Sequence, residues 1–195
     1  MSPAPRPLHH AAHGPPPRSG EDFLKTRQLG FTVAALVFAL DQFIKWLVTG
    51  PLHIAELGDQ LVLLPIFNLT YTENQGISLG LLNASNSVGR WMLVALTGAI
   101  ALGVAFWIGR EKNRADQIAL GMVLGGALGN ILDRVRFGYV VDFADLHFGA
   151  FRPFLVFNVG DAAISIGVVI LLLRAFLTRK EQRKGLGPEE TIEHA

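Results

Sequence analysis

Four apolar segments, each long enough to cross a lipid bilayer, constrain the fold of this chain more than any other feature. They cover residues 29–48, 88–108, 115–135 and 154–177. A helix of about 20 apolar residues spans the hydrocarbon core, and it satisfies its backbone hydrogen bonds internally, as a lipid environment requires. Half of the 195 residues are hydrophobic and only 17% are charged. The sequence therefore predicts an all-α integral membrane protein with four transmembrane helices.

The rest of the composition excludes several functional classes. The 17 basic residues are offset by 16 acidic ones, and a net charge of +1 gives no reason to expect nucleic-acid binding. The chain has no cysteine, which excludes a thiol nucleophile, a disulfide framework and any cysteine-containing zinc site. We expect no metal and no other cofactor.

Both ends of the chain are predicted to be cytoplasmic tails. Residues 1–24 include six of the ten prolines and little that is apolar, so they cannot bury a core and are expected to be disordered. The membrane domain is predicted at 25–178 and the second tail at 179–195. Twelve of the 17 lysines and arginines fall on the side that holds both termini, which identifies that side as cytoplasmic.

The loop between the first two spans carries strand-forming residues. Residues 60–72, QLVLLPIFNLTYT, are rich in β-branched and aromatic side chains, and residues 73–78, ENQGIS, supply a glycine-containing turn. The sequence therefore predicts a small extracytoplasmic β-sheet at the membrane surface. Asn74 and Gly76 are either turn residues only or also part of a site. A second outer loop, at 136–153, is predicted between the last two spans.

Polar residues interrupt the apolar segments near their outer ends. An ionised side chain at the centre of a membrane helix costs about 2.5–3.5 kcal/mol, so such residues usually face the bundle interior and serve a function. Asp41 and Lys45 lie one turn apart and are expected to pair, with Lys45 reaching toward the lipid headgroups. Asn130, Asp133 and Arg134 share a face of the third segment. Each group is either structural or part of a functional site.

Glycines on the third segment predict close helix packing. Gly121, Gly125 and Gly129 recur at every fourth residue, and such a stripe lets a neighbouring helix approach closely. Packing alone accounts for them.

Two further aspartates flank the outer loop. Asp142 lies in GYVVDF, which favours an extended strand, and Asp161 lies in FNVGD at the outer start of the fourth segment. Because the chain leaves the third span and enters the fourth on the same side, we expect the two carboxylates at the same depth. Close carboxylates cannot both ionise readily, so one holds a proton, and such a pair can hydrolyse a peptide bond by acid–base catalysis.

Structural interpretations of these aspartates remain open at this point. Asn158 and Asp161 have the spacing of a helix cap. Asp142 would serve as a turn carboxylate if it paired with Arg134 or Arg136. The phenylalanines of the outer loop either clamp a peptide or anchor the loop in the membrane; they are Phe143, Phe148, Phe151 and Phe154.

Three other functions fit parts of the pattern. A transporter also uses buried carboxylates, although the two halves of the chain show no repeat. A serine hydrolase would use Ser78 or Ser165 with Lys45 or His147, without a nucleophile-elbow motif. A metal site would use Asp142, Asp145 and His147, without an HExxH motif.

Five motifs in order along the chain resemble those of bacterial lipoprotein signal peptidases, also called type II signal peptidases. They are DQFIK at 41–45, NQG at 74–76, GNILDR at 129–134, GYVVDF at 138–143 and FNVGDAAISIG at 157–167. The resemblance covers about residues 25–178. One departure is Gly160, where alanine is more usual in that family.

The resemblance implies an aspartyl endopeptidase that cleaves prolipoproteins on the amino side of a diacylglyceryl-modified cysteine. Asp142 and Asp161 match the catalytic pair. The residues implied to support the site or bind the substrate are Asp41, Lys45, Asn74, Gly76, Asn130, Asp133, Arg134 and Asn158. The implied partners are the diacylglyceryl prolipoprotein and membrane lipids, and the implied location is the bacterial inner membrane. We expect a monomer.

Overall fold

The computed structural model describes the backbone of residues 20–76 and 87–185 and the side chains of residues 28–76 and 87–179. Its helices are α1 (Gly20–Thr49), α2 (Ser87–Ile108), α3 (Arg114–Arg136) and α4 (Val159–Gly185), and its strands are β1 (Gln60–Leu64), β2 (Phe67–Asn74) and β3 (Val140–Leu146). All four helices are long and apolar enough to cross a membrane. This confirms the predicted fold class.

Helix α3 is the centre of the bundle because it packs against each of the other three helices. Half of the most apolar part of α3 is buried, compared with about a fifth of the corresponding part of each other helix. Gly121 and Gly125 lie directly against the backbone carbonyls of Gly30 and Ala34 on α1. The predicted glycine stripe is therefore confirmed, and it brings the α1 and α3 backbones into contact.

A second close approach joins α3 to α4. A Cβ on Gly126 would overlap the carbonyl oxygen of Gly160, and a Cβ on Gly160 would lie 2.9 Å from the carbonyl oxygen of Gly126. Glycine at both positions lets the first turn of α4 sit against α3. A methyl group at position 160, where alanine is more usual in the resembling family, would press against α3 in this chain.

Gly126→Ala is expected to destabilise the protein because the added methyl group must push α4 away from α3. Overpacking of this kind costs about 1–3 kcal/mol. Gly98→Ala is the matched control, since no described atom lies within 4 Å of a Cβ there and alanine favours a helix. Thermal unfolding in one detergent should show a lower midpoint for Gly126→Ala alone. Equal midpoints for the two variants would contradict this account of the packing.

The three strands form one antiparallel sheet in the order β1–β2–β3. A small core lies beneath it, formed by Val48, Ile54, Leu69, Tyr71, Val141, Phe143 and Ala144. The pairing of β2 with β3 sets Thr72 opposite Asp142 and Asn74 opposite Val140. The sheet therefore brings the end of the first outer loop next to the strand that carries Asp142.

The helix ends differ from the sequence prediction at three places. Helix α1 begins at Gly20, inside the predicted tail 1–24, and α4 continues to Gly185, beyond the predicted boundary at 178. Residues 1–19 and 186–195 lie outside the described part of the chain. Helix α4 begins at Val159 rather than at 154, because Phe157 exchanges backbone hydrogen bonds with Ala144 of β3 at 2.7 and 3.1 Å.

Candidate active site

Asp142 and Asp161 are joined through two asparagine side chains. Asn158 Nδ2 donates to Asp142 Oδ1 at 2.6 Å, and Asn130 Nδ2 donates to Asp161 Oδ1 at 2.8 Å. The two amides are themselves linked, since Asn158 Nδ2 also donates to Asn130 Oδ1 at 3.1 Å. One hydrogen-bonded network thus connects the strand β3, the helix α3 and the start of α4.

Asn158 and Asp161 form a reciprocal cap at the start of α4. The Asp161 N–H donates to Asn158 Oδ1 at 2.9 Å, and the Asn158 N–H donates to Asp161 Oδ2 at 3.3 Å. This is the capping-box arrangement, which satisfies two free amides at a helix N-terminus. The cap and the carboxylate network coexist, so Asp161 is held in place by the same bonds that begin its helix.

Asp142 is the more buried of the two aspartates, with 1% of its surface exposed. Asn74 Nδ2 donates to its second oxygen at 3.0 Å. Burial, and after it the negative charge of Asp161, raise the pKa of Asp142 to about 7, against the opposing effect of the two asparagine hydrogen bonds. The alternative interpretation of Asp142, a turn carboxylate paired with Arg134 or Arg136, does not describe its hydrogen bonds: in the described part of the chain its donors are asparagines.

Gly76 and Asn74 form a tight turn that aims the Asn74 amide at Asp142. The Gly76 N–H donates to Asn74 Oδ1 at 2.9 Å, and the backbone of Gly76 has φ = +94°, a value that favours glycine. With its oxygen held by the turn, Asn74 presents its Nδ2 donor to the carboxylate. The turn and the site therefore depend on the same two residues.

Lys45 lies between two buried aspartates. Its Nζ is 2.8 Å from Asp41 Oδ2 and 2.7 Å from Asp133 Oδ2, and it also donates to Asn130 Oδ1 at 3.2 Å. The predicted pair with Asp41 is confirmed. The prediction that Lys45 reaches toward the headgroups is wrong: it is only 5% exposed, because all three of its donors are bound inside the bundle.

Both acids of this triad also accept a hydrogen bond from a backbone amide. The Gly160 N–H donates to Asp41 Oδ1 at 2.8 Å, and the Val141 N–H donates to Asp133 Oδ2 at 3.2 Å. Gly160 directly precedes Asp161, and Val141 directly precedes Asp142. The triad of Asp41, Lys45 and Asp133 therefore fixes the backbone beside each of the two paired aspartates.

Sequence reasoning missed Gln42. Its Nε2 donates to Asp133 Oδ1 at 3.0 Å and to Asp41 Oδ2 at 3.2 Å, so it links both acidic members of the triad. Its position inside the DQFIK motif was the only available signal.

Arg134 lies beside the aspartate pair. Its Nη1 donates to the Asn130 carbonyl at 3.4 Å, and its charge interacts with Asp161 and Asp142. Its Nε is buried and has no hydrogen-bond partner among the described residues. The structure therefore places together all the site residues named from the sequence, and leaves one donor of Arg134 available to a ligand.

Among the described residues, the structure does not support the metal site. Asp145 accepts two hydrogen bonds from Arg152, at 3.1 and 3.3 Å, and so has different partners from Asp142. Within the described ranges, no three His, Asp or Glu side chains are grouped as metal ligands. Ser165 is exposed on α4, and Ser78 lies outside the described residues.

Four spanning helices, a small sheet at one end and a carboxylate pair between them define a multi-pass membrane protein with a site suited to acid–base hydrolysis. The family model described as signal peptidase (SPase) II matches residues 33–177. The chain belongs to the signal peptidase II family, and it is therefore a membrane peptidase.

Curated relatives and solved structures agree with this assignment. A lipoprotein signal peptidase from Sphingopyxis alaskensis is 57% identical over 150 residues, covering 77% of this chain and 86% of that protein. One from Rhizorhabdus wittichii is 54% identical, covering 79% of this chain and 89% of that protein. A solved structure described as a bacterial membrane enzyme is 26% identical with a TM-score of 0.67, covering 80% of this chain and 91% of that one.

Proposed function

We propose that this protein removes the signal peptide of diacylglyceryl-modified prolipoproteins on the amino side of the lipidated cysteine, with Asp142 and Asp161 as the catalytic pair. The observation that supports this most directly is the single asparagine network that holds both carboxylates. The names of the related proteins support the substrate class.

The environments of the two aspartates suggest their roles. Asp142 is buried and its pKa is raised to about 7, so it holds the shared proton. Asp161 is half-buried, and two donated hydrogen bonds stabilise its negative charge. Two titratable groups with such different surroundings divide into an acid and a base.

The reaction then proceeds by general acid–base catalysis. Asp161 takes a proton from a water molecule as the water oxygen attacks the peptide carbonyl, and Asp142 donates its proton to the carbonyl oxygen. When the tetrahedral intermediate breaks down, Asp161 gives its proton to the leaving amine and Asp142 recovers its own. Neither a metal nor a covalent intermediate is needed. The unpartnered Nε of Arg134 is suited to bind a carbonyl of the substrate.

The triad positions the pair. Asp41 and Asp133 accept hydrogen bonds from the amides that precede Asp161 and Asp142, and Lys45 bridges the two acids. A site of this kind works only when its groups are held to within about 0.5 Å. Asn74, Gly76, Asn130 and Asn158 complete the support from the other side of the carboxylates.

The apolar surface around the sheet suits a lipid-anchored substrate. Phe148, Phe151 and Phe154 are more than half exposed, and Leu155 is 90% exposed, whereas Phe143 belongs to the buried core. The predicted clamp or anchor therefore involves three phenylalanines at most. These side chains are suited to contact the leaflet in which the two acyl chains of the substrate lie.

We further propose the bacterial inner membrane as the location, with both termini cytoplasmic, a monomeric state and tails outside residues 25–178. The excess of lysine and arginine on the side of the termini supports this orientation. The sheet and the aspartate pair would then lie at the extracytoplasmic surface.

A cleavage assay tests the proposed function. The purified chain in detergent is incubated with a diacylated prolipoprotein and with the same protein lacking the lipid, and the products are identified by mass. We expect a product that begins at the lipidated cysteine, and little product from the unlipidated substrate. Cleavage at another bond, or equal cleavage of both substrates, would refute the proposed specificity.

The cleavage rate is expected to fall as the pH rises above about 7. Because its pKa is raised to about 7, Asp142 keeps its proton below that pH and loses it above, so the one-proton pair disappears. The rate at saturating substrate should approach a decline of about tenfold per pH unit. In Asn74→Ala the fall in rate should occur at higher pH. The hydrogen bond from Asn74 stabilises the ionised form of Asp142, so its removal raises the pKa of that carboxyl further. A fall in rate at lower pH in this variant would contradict the assignment of Asp142 as the protonated partner.

A further inference from the structure

A cavity of about 210 Å³ lies beside the Lys45–Asp133 ion pair. It is enclosed by the last turns of α1 and α3 and by the sheet, and neither Asp142 nor Asp161 lines it. Its polar lining includes the ion pair of Lys45 and Asp133. Its exposed lining residues include Trp46, Arg136 and Phe137, which we take to form its mouth. The proposed reaction makes no use of this space.

The cavity offers an unused donor. The hydroxyls of Tyr71 and Tyr139, which both line it, are 3.1 Å apart and share one hydrogen bond. Burial raises the pKa of Tyr71, so its hydroxyl keeps its proton. Only one of the two hydroxyl protons is used in that hydrogen bond. Among the described residues, the other proton has no acceptor. That proton is available to a ligand inside the cavity.

The mouth of the cavity carries an uncompensated positive charge. The charge of Lys45 is more than offset by its two aspartates, whereas Arg136 is exposed and forms no ion pair with any described carboxylate. Its guanidinium lies 4.8 Å from the centre of the Phe137 ring, which holds it at the rim. An anionic group at the mouth would meet this cation and the tyrosine hydroxyls together.

Exposed aromatic side chains lie next to the mouth. Phe43, Trp46 and Phe137 are 53%, 58% and 46% exposed, and the Phe43 and Trp46 rings lie 5.7 Å apart. Aromatic side chains at helix ends mark the interface between hydrocarbon and headgroups. A ligand that reaches the cavity along this surface has apolar chains below and an anionic group at the level of Arg136.

We propose that this cavity binds the phosphate headgroup of a glycerophospholipid from the leaflet on the sheet side, with its acyl chains against Phe43 and Trp46. This lipid is distinct from the substrate's own diacylglyceryl group, which carries no phosphate. The bound headgroup meets Arg136 and a tyrosine hydroxyl and lies against Val141, and so braces the strand that carries Asp142.

Native mass spectrometry of the full chain in a nonionic detergent tests this inference. Three probes separate the parts of the ligand: phosphatidylglycerol, diacylglycerol without phosphate, and glycerol phosphate without acyl chains. We expect the protein to retain phosphatidylglycerol and to bind the other two at least about tenfold more weakly. Equal retention of diacylglycerol, or equal binding of glycerol phosphate, would overturn the proposal.

Two variants locate the lipid. Arg136→Gln is expected to weaken phosphatidylglycerol binding about tenfold, and Tyr139→Phe, which removes only a hydroxyl, severalfold. The matched control is Arg110→Gln, because Arg110 also lies over a ring, that of Phe106 at 4.4 Å, but at the opposite end of the bundle. If Arg136→Gln does not fold, Tyr139→Phe decides alone. The site would be refuted by equal losses of binding in Arg136→Gln and Arg110→Gln, or by no loss in Tyr139→Phe. It would also be refuted if a peptide from the mature part of a lipoprotein displaced the lipid.

Discussion

Asp142→Asn and Asp161→Asn are each expected to abolish cleavage of a diacylated prolipoprotein while leaving a folded membrane protein. An asparagine keeps the shape of the side chain and an oxygen that accepts the hydrogen bond from Asn158. It cannot gain or lose the proton that the proposed reaction moves. Since a positioned acid or base contributes about 10²–10⁴-fold to a rate, each variant should lose at least this factor in kcat.

Asp145→Asn is the matched control for these variants. Asp145 lies on the same strand as Asp142 and is equally buried at 1% exposure, but it pairs with Arg152. Its replacement should lower the unfolding temperature and leave kcat per folded molecule within a few-fold of the original, since Asp145 takes no part in the proton transfers. Full turnover by either Asp142→Asn or Asp161→Asn would refute the catalytic pair. A comparable loss of kcat in Asp145→Asn would show that the loss arises from disruption of the β-sheet and not from loss of a proton-transfer group.

Lys45→Met is expected to lower both stability and kcat. The change leaves Asp41 and Asp133 buried without their shared cation, and removal of one partner from a buried ion pair costs about 3–5 kcal/mol. The amides that precede Asp161 and Asp142 lose their common anchor, and a shift of about 1 Å in a reacting group can cost about 10²-fold in rate. Arg179→Met removes an exposed cation at the other end of the bundle and should change stability by at most about 0.5 kcal/mol.

A double variant separates positioning from stability. Lys45→Met with Asp133→Asn restores the net charge of the triad, so part of the lost stability should return. The rate should not return with it, because no cation then links Asp41 on α1 to position 133 on α3. Thermal unfolding and kcat are measured on the same preparations. Recovery of both together would mean that the triad contributes to folding alone.

The fold was largely predictable because hydrocarbon allows few solutions. The four spans could be located from length and apolarity alone, and α2 and α3 begin and end within a residue of their predicted limits. The start of α4 could not be located in this way, because the apolar residues at 154–157 are equally compatible with a helix. In the structure Phe157 instead pairs with Ala144. Contacts between distant segments decided that boundary.

The sequence predicted which residues form the candidate site but not the hydrogen bonds that connect them. Asp142 and Asp161 could be placed at one depth from the path of the chain, whereas their connection through Asn130 and Asn158 required side-chain geometry. The environment of Lys45 was mispredicted for a related reason. Spacing along α1 reveals its partner Asp41, but the second acid comes from another helix.

The order in which this site is completed has a consequence for biogenesis. Asp41 on the first helix binds an amide 119 residues further along, on the last helix, and Asp142 depends on a residue of the first outer loop. A nascent chain that has inserted only three helices therefore lacks Asp161 and leaves Asp41 without that amide. Until the fourth helix enters the bilayer, such a chain lacks one member of the proposed catalytic pair.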